Sequence, residues 1–333
     1  MISRLPAALF SLLISFSAAG ADLFAPYSTS NLNPFVRAAG IPSPLTLPGK
    51  ETVLLQVGVD VANNFTRSSS RNESIIVDGE TLQTTLGAAW RFSDRWFAAV
   101  ELPYFHHDGG SLDHFIENWH DLFGLPGGGR KSYPANQLRY AYARNNTTLV
   151  DLQQQRSGVG DVRLTLGYLV ASSNQREWTL QAGIKLPTGD PGKLTGSGGT
   201  DGFVAIQVSQ SELFGRQHLR LHSSLGILRP GENDSAGDLL PGMIRDTVFF
   251  GSTTLAWRFH ERVSLKTQLD YHSALFDSDL RELGDTAAQL VLGGSVKLGN
   301  RTQLDVAVSE DIITDTSPDV AILLRLRHSL PSP

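Results

Sequence analysis

From Thr52 to His328 the chain switches apolar and polar side chains residue by residue, in segments of roughly ten residues. In the first segment Val53, Leu55, Val57, Val59 and Val61 share one face, and Thr52, Gln56, Asp60 and Asn64 share the other. A period of two is the strand period, because successive side chains of a strand point to opposite faces. Further along, Leu82, Thr84, Leu86, Ala88 and Trp90 oppose Gln83 and Thr85, and Val162, Leu164, Leu166 and Tyr168 oppose Asp161, Arg163 and Thr165. The pattern predicts an all-β fold: a closed antiparallel transmembrane β-barrel of about twelve strands, an even number as single-chain barrels require.

The breaks between segments alternate as well. Short ones fall at 93–95, 172–175, 211–217, 260–262 and 299–301, and longer ones at 63–73, 107–157, 187–200, 230–245, 274–285 and 310–319. In outer-membrane barrels short turns face the periplasm and long loops face outside, which puts both ends of the barrel domain, 49–330, on the periplasmic side. Trp90, Trp96, Trp178 and Trp257 lie within a few residues of short turns. Tryptophan favours the headgroup layer, so these four predict a periplasmic girdle. A soluble β-sandwich would alternate for the same reason; the girdle, the turn asymmetry and the leader described next favour the barrel.

Residues 1–21 read as a secretory signal peptide: Arg4 precedes an apolar run at 5–16, and Ala19-Gly20-Ala21 supplies the small-residue cleavage site. Residues 22–48 carry Pro26, Pro34, Pro42, Pro44 and Pro48 and show no period, which excludes a central strand. The segment is either a periplasmic tail or a plug folded into the lumen. With no cysteine, the chain has no disulfide framework, thiolate metal site or lipid-modified N-terminal Cys. The net charge of −5 argues against nucleic acid as a partner. The 41% hydrophobic content resembles that of a soluble protein, as expected when only every second strand residue meets lipid.

Candidate chemistry lies in the lumen and the longest loop. Glu101, Asp161, Arg163, Lys185, Arg220, His222, Arg258, Lys266, Asp270, His272 and Asp305 all take inward positions. They either line a water-filled channel or pair across a filled lumen. In the loop 107–157, Ser111 could cap an amphipathic helix over 112–123. Its apolar side holds Phe115, Ile116, Trp119 and Phe123, and His120 lies on the other side. Such a helix would serve as a lid, its apolar side laid over the pore mouth or into the outer leaflet, or would pack on neighbouring loops. A hairpin around Asn145-Asn146 is expected to extend the wall. His106, His107, His114 and His120 match no defined metal spacing, Gly196-Ser197-Gly198-Gly199 lacks the lysine of a phosphate loop, and the acidic run from Asp277 to Asp285 reads best as solvated. No cofactor is implied.

Several stretches together resemble an uncharacterised family of proteobacterial outer-membrane proteins, a domain of unknown function. They are Asn31-Leu32-Asn33-Pro34, the run from Phe115 to Pro126, Lys185-Leu186-Pro187-Thr188-Gly189-Asp190, the run from Leu194 to Asp201, and the run from Asp277 to Gly284. The resemblance covers nearly the whole mature chain and implies a barrel in the outer membrane, with no catalytic residue to carry over. Leu186-Pro187-Thr188-Gly189-Asp190 also resembles barrels of aromatic-degradation and long-chain fatty-acid uptake. The expected partners are outer-membrane lipid, the membrane's assembly machinery and a small solute or lipid-like ligand. The leading expectation is a channel or uptake protein for a small, partly apolar solute. A lipid hydrolase with a lipid-facing Ser/His site and an adhesive barrel acting through its outer loops are the alternatives.

Overall fold

A computed structural model describes residues 22–111, 134–231, 235–313 and 315–331. The leader at 1–21 and the lid helix at 112–123, with Phe115, Ile116, Trp119, His120 and Phe123, lie outside the described residues. The strands are β1 (Thr52–Ser69), β2 (Glu73–Trp90), β3 (Trp96–Asp108), β4 (Arg139–Arg144), β5 (Thr147–Leu152), β6 (Arg156–Val159), β7 (Val162–Ser172) and β8 (Arg176–Leu186). They continue as β9 (Asp201–Leu213), β10 (Arg216–Arg229), β11 (Val248–His260), β12 (Val263–His272), β13 (Ala287–Lys297), β14 (Thr302–Asp311) and β15 (Val320–Pro331).

Twelve of these strands form a closed antiparallel barrel. β1 pairs with β2 on one side and β15 on the other, β2 pairs with β3, β3 with β7, and β7 to β15 follow in order. Closure removes sheet edges and satisfies the backbone within the wall, as a lipid environment demands. β4, β5 and β6 stand outside the ring and heighten its wall. β4 pairs with the upper half of β2, β5 with β4, and β6 with the end of β3. The β4–β5 hairpin turns at Asn145 and Asn146 with φ of 51° and 63°, the left-handed pair that such a two-residue turn requires.

The expected long loop at 63–73 is corrected by the structure. β1 runs on through Ser69 and β2 begins at Glu73, leaving Ser70, Arg71 and Asn72 as the turn. These strand ends rise beyond the apolar band of the wall, where no lipid imposes alternation, so their polar residues read as loop. The break at 211–217 shrinks similarly, to the two residues between Leu213 and Arg216.

The outer face is apolar along its middle: Leu86, Leu164, Ile184, Val204, Leu265 and Leu292 are all exposed. Towards the short turns an aromatic band appears. Trp96 meets Tyr168 with ring centroids 4.8 Å apart, Trp90 meets Phe92 at 5.5 Å, and Trp257 meets Phe259 at 5.8 Å. Arg95 donates to the Tyr168 hydroxyl at 2.9 Å, so the ring joins an apolar surface to a polar rim.

If this face meets lipid, Leu164→Arg, placed between Val100 of β3 and Ile184 of β8, should cost about 2–4 kcal/mol of folding free energy in a bilayer. On a soluble sheet the same exposed change would cost within about 0.5 kcal/mol. Urea titration in lipid vesicles separates the two.

Candidate functional site

The lumen holds the chain's own residues 22–48. Leu23, Phe24, Ala25, Tyr27, Leu32, Phe35 and Val36 are all buried there. After a turn at Leu23 and Phe24 the segment runs extended to Asn31, parallel to β12, and its contacts from Leu23 onward keep a constant partner offset. Ser264 donates to the carbonyl of Leu23 at 2.6 Å, and Lys266 Nζ to that of Ala25 at 2.8 Å. Gln268 accepts from the backbone N–H of Tyr27 at 2.9 Å and donates to its carbonyl at 3.2 Å. Thr29 donates to Asp270 at 2.5 Å, and Asn31 Nδ2 to His272 Nε2 at 3.0 Å. These five partners are alternate residues of β12, all on its inward face.

β15, three strands round the wall from β12, takes the intervening carbonyls. Arg327 donates to Pro26 O at 2.7 Å and Arg325 to Ser28 O at 2.6 Å. Buried carboxylates balance these cations. Asp305 lies 3.4 Å from Lys266 Nζ and 3.3 Å from Arg327 Nε, and Asp60 lies 2.9 Å from Arg325 Nη2. Lys266 also sits 4.2 Å from the centre of the Tyr27 ring. Burial, followed by the neighbouring Asp305, holds the Tyr27 phenol well above its ordinary range.

A short helix, α1 (Pro34–Ala39), turns the segment round. Asn33 caps it by accepting from Phe35 N, Pro34 occupies the first turn, and Gly40 ends it at φ 82°, a left-handed position. A side chain at Gly40 would also collide with Lys185, whose Cδ lies 2.5 Å from where a Cβ would stand. Arg163 clamps this corner, donating to Gly40 O at 2.9 Å and Ile41 O at 3.2 Å while pairing with Glu101 at 3.0 Å. Arg37 donates to Gln83 at 2.5 Å and lies 5.1 Å from the Phe105 ring centre. Burial, then the nearby Arg163, pulls its pKa down to about 10, so it stays charged at neutral pH.

Above the helix the long-loop end is sealed. Phe35, Val36, Ala38 and Ala39 join Tyr140 and Tyr142 of β4 in one apolar cluster, with loop residues Leu194, Leu239, Leu240, Met243, Phe276 and Leu283. The glycine-rich loop grips an internal carboxylate: Asp161 accepts from Gly189 N at 2.8 Å and Ser197 N at 3.1 Å. Lys185 pairs with Asp161 at 3.1 Å and Asp201 at 2.6 Å, and also donates to Ser197. In the acidic run, Glu282 accepts from Thr66, and Ser278 donates to Glu73.

Glu101, Asp161, Arg163, Lys185, Lys266, Asp270, His272 and Asp305 thus all contact the N-terminal segment or one another inside the barrel. Arg220, His222 and Arg258 lie at the short-turn end, where Arg220 and Arg258 meet the first residues of the segment, Asp22 and Phe24. There Ser209 and His222 hydrogen-bond at 2.7 Å, facing the lumen rather than lipid. The outward Ser223 bonds to Thr253, and His106 and His328 bond to Asp108 and Thr302. Two features escaped the sequence reading. α1 was announced by Asn33-Pro34, a cap followed by a first-turn proline. The Ser209–His222 pair had no local signal, since it depends on the β9–β10 register.

A protein-family model described as "protein of unknown function (DUF3187)" matches residues 3–330. The chain belongs to that family. Among solved structures, an outer-membrane channel from Pseudomonas putida F1 is 10% identical with a TM-score of 0.54, over 86% of this chain and 100% of that one. The Pseudomonas putida toluene transporter TodX is 10% identical with a TM-score of 0.43, over 93% and 99% of the two chains. A search of the curated proteins gave no match. The first of these structures shares its β-barrel fold with this DUF3187 protein; in outer-membrane barrels the short-turn end faces the periplasm.

Gln268 is the centre of the ladder, bonding to Tyr27, Thr29 and Thr254. Gln268→Ala should weaken docking of the segment by about 1–3 kcal/mol, because buried partners lose their bonds. Hydrogen exchange at the amides between Leu23 and Asn31 should then accelerate roughly 5- to 150-fold, with the amides of β12 itself unchanged.

Proposed function

We propose that the protein is an outer-membrane channel for a small, partly apolar solute, with residues 22–48 as its plug. The observation that carries this reading is how the segment is held. Its extended part is bound to the wall by side chains, where a permanent wall element would share a backbone ladder with its neighbours. Side-chain bonds can be exchanged for water one at a time without breaking the barrel. A lumen that existed only to be filled would be filled most economically by the wall's own side chains, as in smaller barrels. Here a separate stretch of chain does the filling.

The apolar element of the solute is supported by what faces the segment in mid-lumen. Phe203 and Phe250, with ring centroids 6.2 Å apart in an edge-to-face pair, line a cavity of about 50 Å³ together with Ile41 and Leu45. That volume is too small for a solute while the segment is in place; a cavity that binds benzene measures about 150 Å³. Passage therefore requires the segment to shift. The Ser209–His222 pair does not favour a lipid hydrolase, since it opens to the lumen.

Ion conductance across planar bilayers tests the proposal, comparing the whole chain with a variant lacking 22–48. Steady current after the deletion, and a closed or rarely open state before it, is the expected result. Equal current in both would overturn the plug. Silence in both, from barrels verified as folded, would overturn the channel.

A further inference from the structure

We infer that the periplasmic end of the lumen is a binding site for a small aromatic carboxylate, and that Asp22 and Phe24 occupy it as an internal stand-in. The inference rests on the channel reading for the solute's route, and goes beyond it in naming the solute's class.

The geometry begins with two side chains of the segment. The Asp22 carboxylate lies 3.7 Å from Arg220 Nη1. The Phe24 ring, 4% exposed, lies 4.3 Å from the guanidinium carbon of Arg220 and 5.2 Å from that of Arg258. Phe24 N donates to Asp22 Oδ1 at 3.1 Å, which folds the carboxylate back towards its own ring. One cationic surface therefore holds a carboxylate and an arene side by side. A guanidinium pairs with a carboxylate through its N–H fork and attracts the negative face of a ring, so both contacts suit Arg220.

Space and unused donors lie beside this pair. A cavity of about 320 Å³ is bordered by Asp22, Arg91, Ser209, Arg220, His222 and Glu177. It is large enough for a single-ring solute, since a cavity of about 150 Å³ already accommodates benzene. The Nε atoms of Arg91 and Arg220 are buried and have no hydrogen-bond partner, and Arg91 as a whole is only 9% exposed. A buried N–H without an acceptor is costly, and a bound carboxylate would relieve it. When the segment withdraws, Asp22 leaves with it, and Arg91 and Arg220 are left in the cavity wall with Glu177. A neutral arene would leave that charge unanswered, and an aliphatic carboxylate would forgo the ring contact.

The test is calorimetric titration of benzoate into the detergent-solubilised protein and into the Asp22→Ala/Phe24→Ala double variant. The double variant should bind benzoate at least about tenfold more tightly, because the competing internal groups are gone, and adding Arg220→Gln should erase the gain. Cyclohexanecarboxylate and benzyl alcohol, each lacking one of the two features, should bind more weakly than benzoate. Should the double variant fail to fold by its β-sheet circular dichroism, Asp22→Asn/Phe24→Leu preserves more of the packing and takes its place. Equal benzoate affinity in parent and variant, indifference to Arg220→Gln, or benzyl alcohol binding as well as benzoate would each overturn the inference. Binding is read without flux, so a failure here is distinct from silence in the conductance measurement.

Discussion

An extended backbone inside a closed barrel must have its N–H and C=O groups satisfied although the wall offers no free strand edge. The interior of this protein is organised around that constraint. Carbonyls of an extended chain point alternately to opposite sides. Those of Leu23, Ala25 and Tyr27 meet Ser264, Lys266 and Gln268 on β12, and those of Pro26 and Ser28 meet Arg327 and Arg325 on β15. Long inward donors therefore stand where a ladder partner would otherwise be. Proline suits the same place, because Pro26 brings no N–H that would need an acceptor.

Cations used as backbone donors bring charge into a buried lumen, and the carboxylates follow from that. Asp305 answers Lys266 and Arg327, and Asp60 answers Arg325. An uncompensated charge at such a depth costs about 3–5 kcal/mol, so each cation needs its partner in place. The mixed signs of the lumen thus have a structural origin before any selective one. At the long-loop end the segment is held differently. α1 gives its apolar side to Tyr140, Tyr142 and the inward-folded loops, so that end is closed by burial of apolar surface.

The strands, the side to which their residues face and the aromatic band were legible because a lipid face leaves a mark on every second residue. Val53 to Val61 against Gln56 and Asp60, or Leu164 against Arg163, could be assigned without knowing any contact. That mark fades where lipid ends, which is why the tops of β1 and β2 read as a loop between 63 and 73. The lumen was legible only in part. The inward positions of Lys266, Asp270 and His272 follow from the period, but what they bind does not. Their partners lie 241 residues away in a segment with no period of its own. Among the stretches that carry the family resemblance, several converge on the closure: Asn31 to Pro34 starts α1, Lys185 to Asp190 and Leu194 to Asp201 build the Asp161–Lys185 grip, and Asp277 to Gly284 packs over the top.

The two modes of attachment give the segment a direction of release. At the long-loop end, apolar burial is cooperative: Phe35 cannot leave its cluster without opening space around Tyr142, 6.5 Å from it between ring centres. At the short-turn end a neutral bond such as that of Ser264 is worth about 0.5–1.5 kcal/mol net and those of Lys266 and Arg327 about 1.5–3 kcal/mol, and water can replace the donors singly. Asp22 and Phe24 stand at that end, next to the largest of the cavities described above. Loosening that starts there would pass along β12 from Ser264 towards His272, meeting α1 last. The two ends of the segment are therefore held by different forces, apolar burial at the long-loop end and separately exchangeable polar bonds at the short-turn end.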